Sequence, residues 1–171
     1  FIVQPGWGVW ATLGVFLLMA AYVVAVLPRL SAGTSAVVTL VLFVVLLVWC
    51  ADVCAYFAGR RYGKARLAPR ISPGKTVAGV YGALLGSIAF AVAAGTLLGA
   101  RGGGLAALVA LALVTVGVSI VGDLYESLIK RHSQVKDSGT LFPGHGGVFD
   151  RFDSLFAALP VFAAGKWLLG L

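Results

Sequence analysis

The chain has 171 residues, of which 60% are apolar and only 11% are charged, and its mean hydropathy is +1.01. Soluble domains are nearer half apolar and about a quarter charged, so this composition argues against a soluble globular domain and excludes a disordered one. It predicts a membrane-embedded protein. The net charge is +7, which in a lipid bilayer favours headgroups or phosphate as partners and argues against nucleic acid.

Five apolar stretches are candidates for transmembrane helices, because one span takes about 20 residues. They run roughly over residues 7–27, 37–58, 77–98, 105–122 and 155–171. Backbone polar groups in hydrocarbon must be satisfied within their own segment, which favours helices over open strands. The sequence therefore predicts an all-α, polytopic protein with about five transmembrane helices in one membrane domain over 1–171. Cys50 and Cys54 lie inside the second stretch and are interpreted as helix packing.

The cations are distributed unequally between the connecting loops. Residues 59–75 and 123–153 hold ten of the thirteen Lys and Arg residues, and two spans separate these segments. Both segments therefore lie on one side of the membrane, which the positive-inside rule makes cytoplasmic. The N-terminus is then also inside, and the C-terminus outside.

The acids are distributed even more unequally. Five of the six lie within 123–153, and the sixth, Asp52, is near the cytoplasmic end of its span. Topology depends little on Asp and Glu, so this clustering calls for another explanation. It predicts a polar site at the cytoplasmic interface of the membrane.

Asp123, Ser127 and Lys130 have the spacing of one helix face, with Glu126 beside them. One interpretation is that the fourth span continues into the cytoplasm as a polar helix whose stripe faces the site. The alternative is a solvated helix end with an internal ion pair.

The segment from His132 to Asp153 combines glycines, cations and acids. Glycine permits close backbone approach to a ligand, and a returning loop could bring Asp123 and Asp150 to one point. Hard cations such as Mg²⁺ take carboxylate oxygens and keep substrate phosphates as further ligands. The pattern suits a metal–triphosphate complex. His145 is open to a phosphate-binding or a structural role.

A second candidate phosphate site precedes the third span. Ser72 is suited to an N-cap and Pro73 to the first helical position, and free N–H groups at a helix start bind phosphate. Lys75 and Thr76 lie next to it. Pro69 excludes a Walker A loop. The alternative is a capped helix with basic residues that reach the interface.

These motifs together resemble the signature of the phosphatidate cytidylyltransferases, the CDP-diacylglycerol synthases. The resemblance rests on Ser127–Arg131, Lys136-Asp137, Gly139, Phe142-Pro143, His145–Gly147 and Asp150–Asp153. Two flanking segments agree with the family pattern, namely Asp52–Gly63 and Ile71–Gly79. The resemblance covers roughly residues 45–160. The family is longer, so the chain is expected to be its C-terminal catalytic portion, acting as a homodimer or within a larger parent chain.

The resemblance implies that CTP and phosphatidic acid give CDP-diacylglycerol and pyrophosphate at the cytoplasmic face of the inner membrane. It implies Mg²⁺ as cofactor, with a second cation left open, and Asp123 and Asp150 as metal ligands. The other expected catalytic residues are Lys130, Arg131, Lys136, Asp137 and Arg151. The expected substrate-binding residues are Asp52, Ser72, Lys75, Thr76, Ser127, His145, Gly146, Gly147 and Asp153.

Three other functions are open to the sequence. A CTP-dependent polyprenol or phytol kinase, or an archaeal-type lipid cytidylyltransferase, would share the architecture. A transporter with intramembrane acids would place them near the bilayer midplane, and here they lie at one interface. A structural scaffold would not require the acid, base and glycine pattern of 123–153.

Overall fold

The computed structural model describes residues 36–132 and 149–171, with side chains over 38–132 and 154–171. Within these ranges the chain forms four helices and one short antiparallel hairpin. They are α1 (Ala36–Tyr62), β1 (Arg66–Ala68), β2 (Ser72–Thr76), α2 (Val77–Leu97), α3 (Gly102–His132) and α4 (Phe149–Leu169).

Three of these helices are long and apolar enough to cross a membrane. They are Val38–Tyr62 within α1, Val77–Leu97 and Gly102–His132, whereas the apolar part of α4, Ser154–Leu169, is shorter. The prediction of a helical membrane protein is confirmed. The predicted count of five spans is not confirmed, because the fifth predicted span corresponds to this shorter helix. The helix continues through Pro160. The predicted span over 7–27 lies outside the described residues.

Helix α3 is longer than a bilayer requires. Its 31 residues extend for about 46 Å, against roughly 30 Å of hydrocarbon. Asp123 lies about 32 Å along the helix from Gly102. The fourth span therefore continues without interruption into a polar segment, as the spacing of Asp123, Ser127 and Lys130 suggested.

Helices α1 and α2 approach each other along a line of small residues. A Cβ added at Gly82 would lie 2.7 Å from the carbonyl oxygen of Cys54 and would overlap the Cβ of Ala58. At Gly86 it would lie 2.8 Å from the Cβ of Cys54. Small residues allow helix backbones to pack closely in membranes, so these glycines and Cys54 serve helix packing, as the sequence indicated.

Replacing Gly82 with alanine is expected to destabilise the protein by about 1–3 kcal/mol, because the new methyl group meets backbone that must move. Thermal unfolding of the detergent-solubilised protein measures this. Gly117→Ala is the matched control, since a Cβ there meets nothing within 4 Å and alanine favours helix by about 1 kcal/mol over glycine. Equal melting temperatures for the two variants would contradict the close approach of α1 and α2.

The apolar core lies between all four helices. Phe43, which is 3% exposed, places its ring centroid 5.4 Å from that of Phe90 and 5.2 Å from that of Phe162. Buried hydroxyls such as Thr115 donate to a carbonyl of their own helix, in this case Leu111 at 2.8 Å. The helices thus pack through apolar contacts, and buried polar groups are satisfied locally.

The hairpin corrects one prediction. Ser72 pairs with Ala68 in the antiparallel ladder, and Ser72–Thr76 is a strand. The turn at Ala68–Ile71 places Pro69 second, where its fixed φ suits a turn. Ser72 is therefore not the N-cap of α2, and Pro73 is not its first helical residue. Thr76 takes the N-cap position in extended conformation, because the strand pairing holds the chain extended up to that residue.

The hairpin and the polar end of α3 lie together. Arg131 Nε donates to the Ile71 carbonyl at 3.3 Å, and Lys75 forms an ion pair with Asp123. The first cation-rich segment and the described start of the second therefore lie at the same end of the helices, as their separation by two spans predicted. The connection between α2 and α3 turns at the opposite end through Gly99 and Gly102, which both have positive φ.

Candidate functional site

A cavity of about 530 Å³ lies at the polar end of the helices. It is enclosed by the last turns of α1, the hairpin, the first turns of α2, the middle of α3 and α4. Its charged and hydroxyl-bearing lining residues are Asp52, Tyr56, Arg60, Arg66, Lys75, Thr76, Ser119, Asp123 and Ser154. Charged groups from four separate elements therefore face one space.

Helix α1 contributes one continuous face to this cavity. Asp52, Tyr56, Gly59, Arg60 and Gly63 all line it, and their spacing of four, three, one and three residues keeps them on one side of a helix. Arg60 donates from Nη1 to the Tyr56 hydroxyl at 2.8 Å. Asp52, farther from the end of the helix, and Arg60, in its last turn, thus share one wall of the cavity.

Lys75 and Asp123 form an ion pair that joins β2 to α3. Their side chains are 25% and 31% exposed, so both are open to the cavity. Asp52 lies within electrostatic range of both groups. The structure therefore brings together three predicted site residues from three elements, although 71 residues of sequence separate Asp52 from Asp123.

Thr76 is buried at the edge of the same cavity. Its hydroxyl oxygen accepts a hydrogen bond from the Gly79 N–H at 3.1 Å, which caps α2. A Cβ at Gly59 would lie 2.8 Å from this oxygen, and one at Gly63 would lie 2.7 Å from the Thr76 methyl carbon. Gly59 in α1 and Gly63 directly after it thus make room for the threonine, and this contact fixes how the hairpin meets α1.

Four other predicted site residues lie at the same end of the molecule but do not line the cavity. They are Ser72, Ser127, Lys130 and Arg131. Lys130 pairs with Glu126 at 2.7 Å, one turn earlier in α3. The two interpretations of this helix face therefore each hold in part. Asp123 faces the cavity, whereas Lys130 forms an ion pair within the helix.

The remaining predicted residues form two groups. The first lies outside the described residues, and for the second only the backbone is described. The first group is Lys136, Asp137, His145, Gly146 and Gly147, and the second is Asp150, Arg151 and Asp153. The backbone of the second group forms the first turns of α4. Asp150 is one helical turn before Ser154, which lines the cavity.

The lining suits a hard cation. Its ionisable donors are the carboxylates of Asp52 and Asp123, and neither cysteine nor histidine is among the described residues of the cavity wall. Carboxylate and hydroxyl oxygens are what Mg²⁺ prefers, with waters and substrate phosphates completing its shell. Over the described ranges no third acidic, histidine or cysteine side chain joins this pair.

Comparison with known proteins decides the family. A family model described as "Cytidylyltransferase family" matches residues 1–168. The chain belongs to the cytidylyltransferase family. It is 50% identical over 131 residues to a protein named phosphatidate cytidylyltransferase from Pseudomonas aeruginosa, covering 77% of this chain and 48% of that protein.

Two further relatives with the same name support this membership. The protein from Haemophilus influenzae is 49% identical over 129 residues, which covers 72% of this chain and 44% of the relative. The protein from Brucella suis is 46% identical over 120 residues, which covers 70% and 44%. The chain thus spans about half the length of the curated relatives it matches, and the predicted resemblance to the family is confirmed.

Sequence reasoning missed several residues of the cavity wall. In the sequence Arg60 and Arg66 indicate only topology, and Tyr56, Ser119 and Ser154 are not among the predicted site residues. A signal existed for two of them, because Tyr56 and Arg60 follow Asp52 at four and eight residues. Arg66, Ser119 and Ser154 had no comparable signal, since their place depends on how the elements pack.

Proposed function

We propose that the protein is a phosphatidate cytidylyltransferase, which transfers the cytidylyl group of CTP to phosphatidic acid. The observation that carries this proposal is the cavity at the polar end of membrane-spanning helices, where Asp52, Asp123 and Lys75 meet. The names of the relatives support the same activity. Both substrates are polyanions, and the cavity offers carboxylates for a metal and cations for phosphates.

The reaction needs little acid–base chemistry. A phosphate oxygen of phosphatidate, already ionised at neutral pH, attacks the α-phosphorus of CTP. A new P–O bond forms, the bond between the α-phosphorus and its bridging oxygen breaks, and pyrophosphate leaves with the electron pair. The barrier is mainly electrostatic, so positioned positive charge is the main contribution expected from the protein. Lys75 lies beside Asp123 and is suited to supply it.

Mg²⁺ would be held by Asp123 together with Asp150, and Asp52 would help to place it or the nucleotide. When bound, the metal neutralises charge on the reacting phosphates. Asp150 belongs to the first turn of α4, and Ser154, one turn later, lines the cavity. This position of its backbone near the cavity supports Asp150 as the second proposed ligand.

The other predicted roles stay predictions. Lys130, Arg131, Lys136 and Arg151 are proposed to contact phosphates, and Asp137 and Asp153 to support the metal site. The bacterial relatives support the inner membrane as the location, and the positive-inside rule supports a cavity that faces the cytoplasm. CTP would enter from the cytoplasm and phosphatidate from the lipid bilayer. A homodimer stays a prediction.

The test is incubation of the membrane-embedded protein with radiolabelled CTP and phosphatidate, with and without Mg²⁺, followed by lipid extraction. The expected result is Mg²⁺-dependent label in the lipid phase when cytidine carries the label, with release of pyrophosphate. Release of CDP with the γ-phosphate on a lipid would instead show a lipid kinase. Solute counterflow without nucleotide would favour a transporter.

A further inference from the structure

The cavity wall carries two arginines to which the proposed mechanism assigns no role. Arg60 lies in the last turn of α1 and Arg66 at the start of β1, and both side chains line the cavity. We propose that Arg60 and Arg66 form a subsite for a phosphate group of one substrate. The inference rests on the proposed function for the identity of that substrate, though not for the binding of the anion.

The charge of the described wall supports an anion. Three cations, Arg60, Arg66 and Lys75, face two carboxylates, Asp52 and Asp123. Lys75 pairs with Asp123, and the two arginines add two further positive charges to the described wall. Charges at the edge of a membrane act in a medium of lower dielectric constant than water, which strengthens their attraction for phosphate.

Both guanidinium groups are held in place by neighbours on their own side of the cavity. Arg66 donates from Nη1 to the Pro73 carbonyl across the hairpin. Arg60 donates to the Tyr56 hydroxyl, and its Cζ lies 6.0 Å from the centroid of that ring. A guanidinium has five N–H donors in a planar fork that matches the oxygens of phosphate, and a fixed position lowers the entropy lost on binding.

The hairpin explains why Arg66 reaches the cavity. Arg66 pairs with Thr76, whose side chain is inserted beside Gly59 of α1 and Gly63 directly after it. The Val77 N–H donates to the Ala65 carbonyl at 3.0 Å, which fastens the base of the hairpin to the start of α2. The start of β1 is thus held against the cavity by both helices.

Neighbouring arginines supply matched controls. Arg61 and Arg70 are exposed, as Arg60 and Arg66 are, and they belong to the same cation-rich segment, but they do not line the cavity. A general attraction between a basic surface and anions would depend on all four residues alike. A subsite in the cavity depends on Arg60 and Arg66 alone.

The experiment compares Arg60→Gln and Arg66→Gln with Arg61→Gln and Arg70→Gln in the membrane-embedded protein. Glutamine removes the charge and keeps an N–H donor for Tyr56 or Pro73, and thermal unfolding checks that each variant is folded. Equilibrium binding is measured with CTP, with inorganic pyrophosphate and with vesicles that contain phosphatidate. Each cavity variant is expected to weaken binding of one phosphate ligand by about tenfold or more, and the controls by less than about twofold.

The ligands distinguish the source of the phosphate. Weaker binding of CTP and pyrophosphate assigns the subsite to the nucleotide, and weaker binding of phosphatidate vesicles assigns it to the lipid headgroup. Equal binding by the four folded variants overturns the inference, even if the wild-type protein transfers cytidylyl groups. Arginine-dependent pyrophosphate binding without any cytidylyl transfer supports the subsite and refutes the proposed function.

Discussion

Asp123→Asn is expected to abolish CTP-dependent release of pyrophosphate, a loss of at least about a thousandfold in turnover. The asparagine keeps the size of the side chain but removes the negative charge that faces Lys75 and, in the proposed mechanism, a metal ligand. Pyrophosphate release with saturating CTP and phosphatidate measures the effect. Binding of Mn²⁺ as a spectroscopic probe should weaken in parallel, which tests the ligand role apart from turnover.

Glu126→Gln is the matched control for this variant. It removes a carboxylate from the same helix, three residues later, at a position that does not line the cavity. We expect it to keep most of the activity and the affinity for Mn²⁺. Near-normal turnover of Asp123→Asn would remove Asp123 from the proposed metal site.

Lys75→Met is expected to lower kcat/KM for CTP by about a hundredfold. Methionine retains most of the length of the side chain but removes the ammonium group that contacts Asp123. In the proposed mechanism this removes positive charge beside the reacting phosphates. The repulsion between the carboxylates of Asp52 and Asp123 is then no longer offset by the ammonium group of Lys75. Steady-state kinetics at several CTP concentrations measures the change.

Lys64→Met removes the same charge from the same segment at an exposed position that does not line the cavity. It is expected to leave kcat/KM within about twofold, because isolated surface charges contribute little. If both lysine variants lose activity equally, the effect comes from the overall charge of the segment, and the specific role proposed for Lys75 is wrong.

The helices could be predicted from sequence because their signal is local. The boundaries of the second, third and fourth predicted spans lie within a few residues of α1, α2 and the apolar part of α3. The hairpin was missed because Ser72 and Pro73 individually favour the start of a helix. Only the pairing of Ser72 with Ala68, which depends on the turn at Pro69, shows that the chain is still extended there.

The candidate site was predictable in part. Clustering of acids at one interface pointed to Asp52 and Asp123, and the candidate phosphate site before the third span pointed to Lys75 and Thr76. All four line one cavity. Which residues of α3 face that cavity was not predictable, because the face a helix presents depends on its rotation against α1 and α2. The pairing of Lys130 with Glu126, and the entry of Arg66 from the hairpin, are consequences of that packing.

The hairpin also sets the depth at which the protein sits in its membrane. Among the described residues the two strands pair only with each other, which leaves N–H and C=O groups along their outer edges, and such groups cannot be left unsatisfied in hydrocarbon. The ladder of Arg66–Ala68 with Ser72–Thr76 must therefore remain among headgroups and water. Because α2 begins directly after the hairpin at Val77, the hairpin keeps the rim of the cavity at the membrane–water interface, where the lipid phosphates lie.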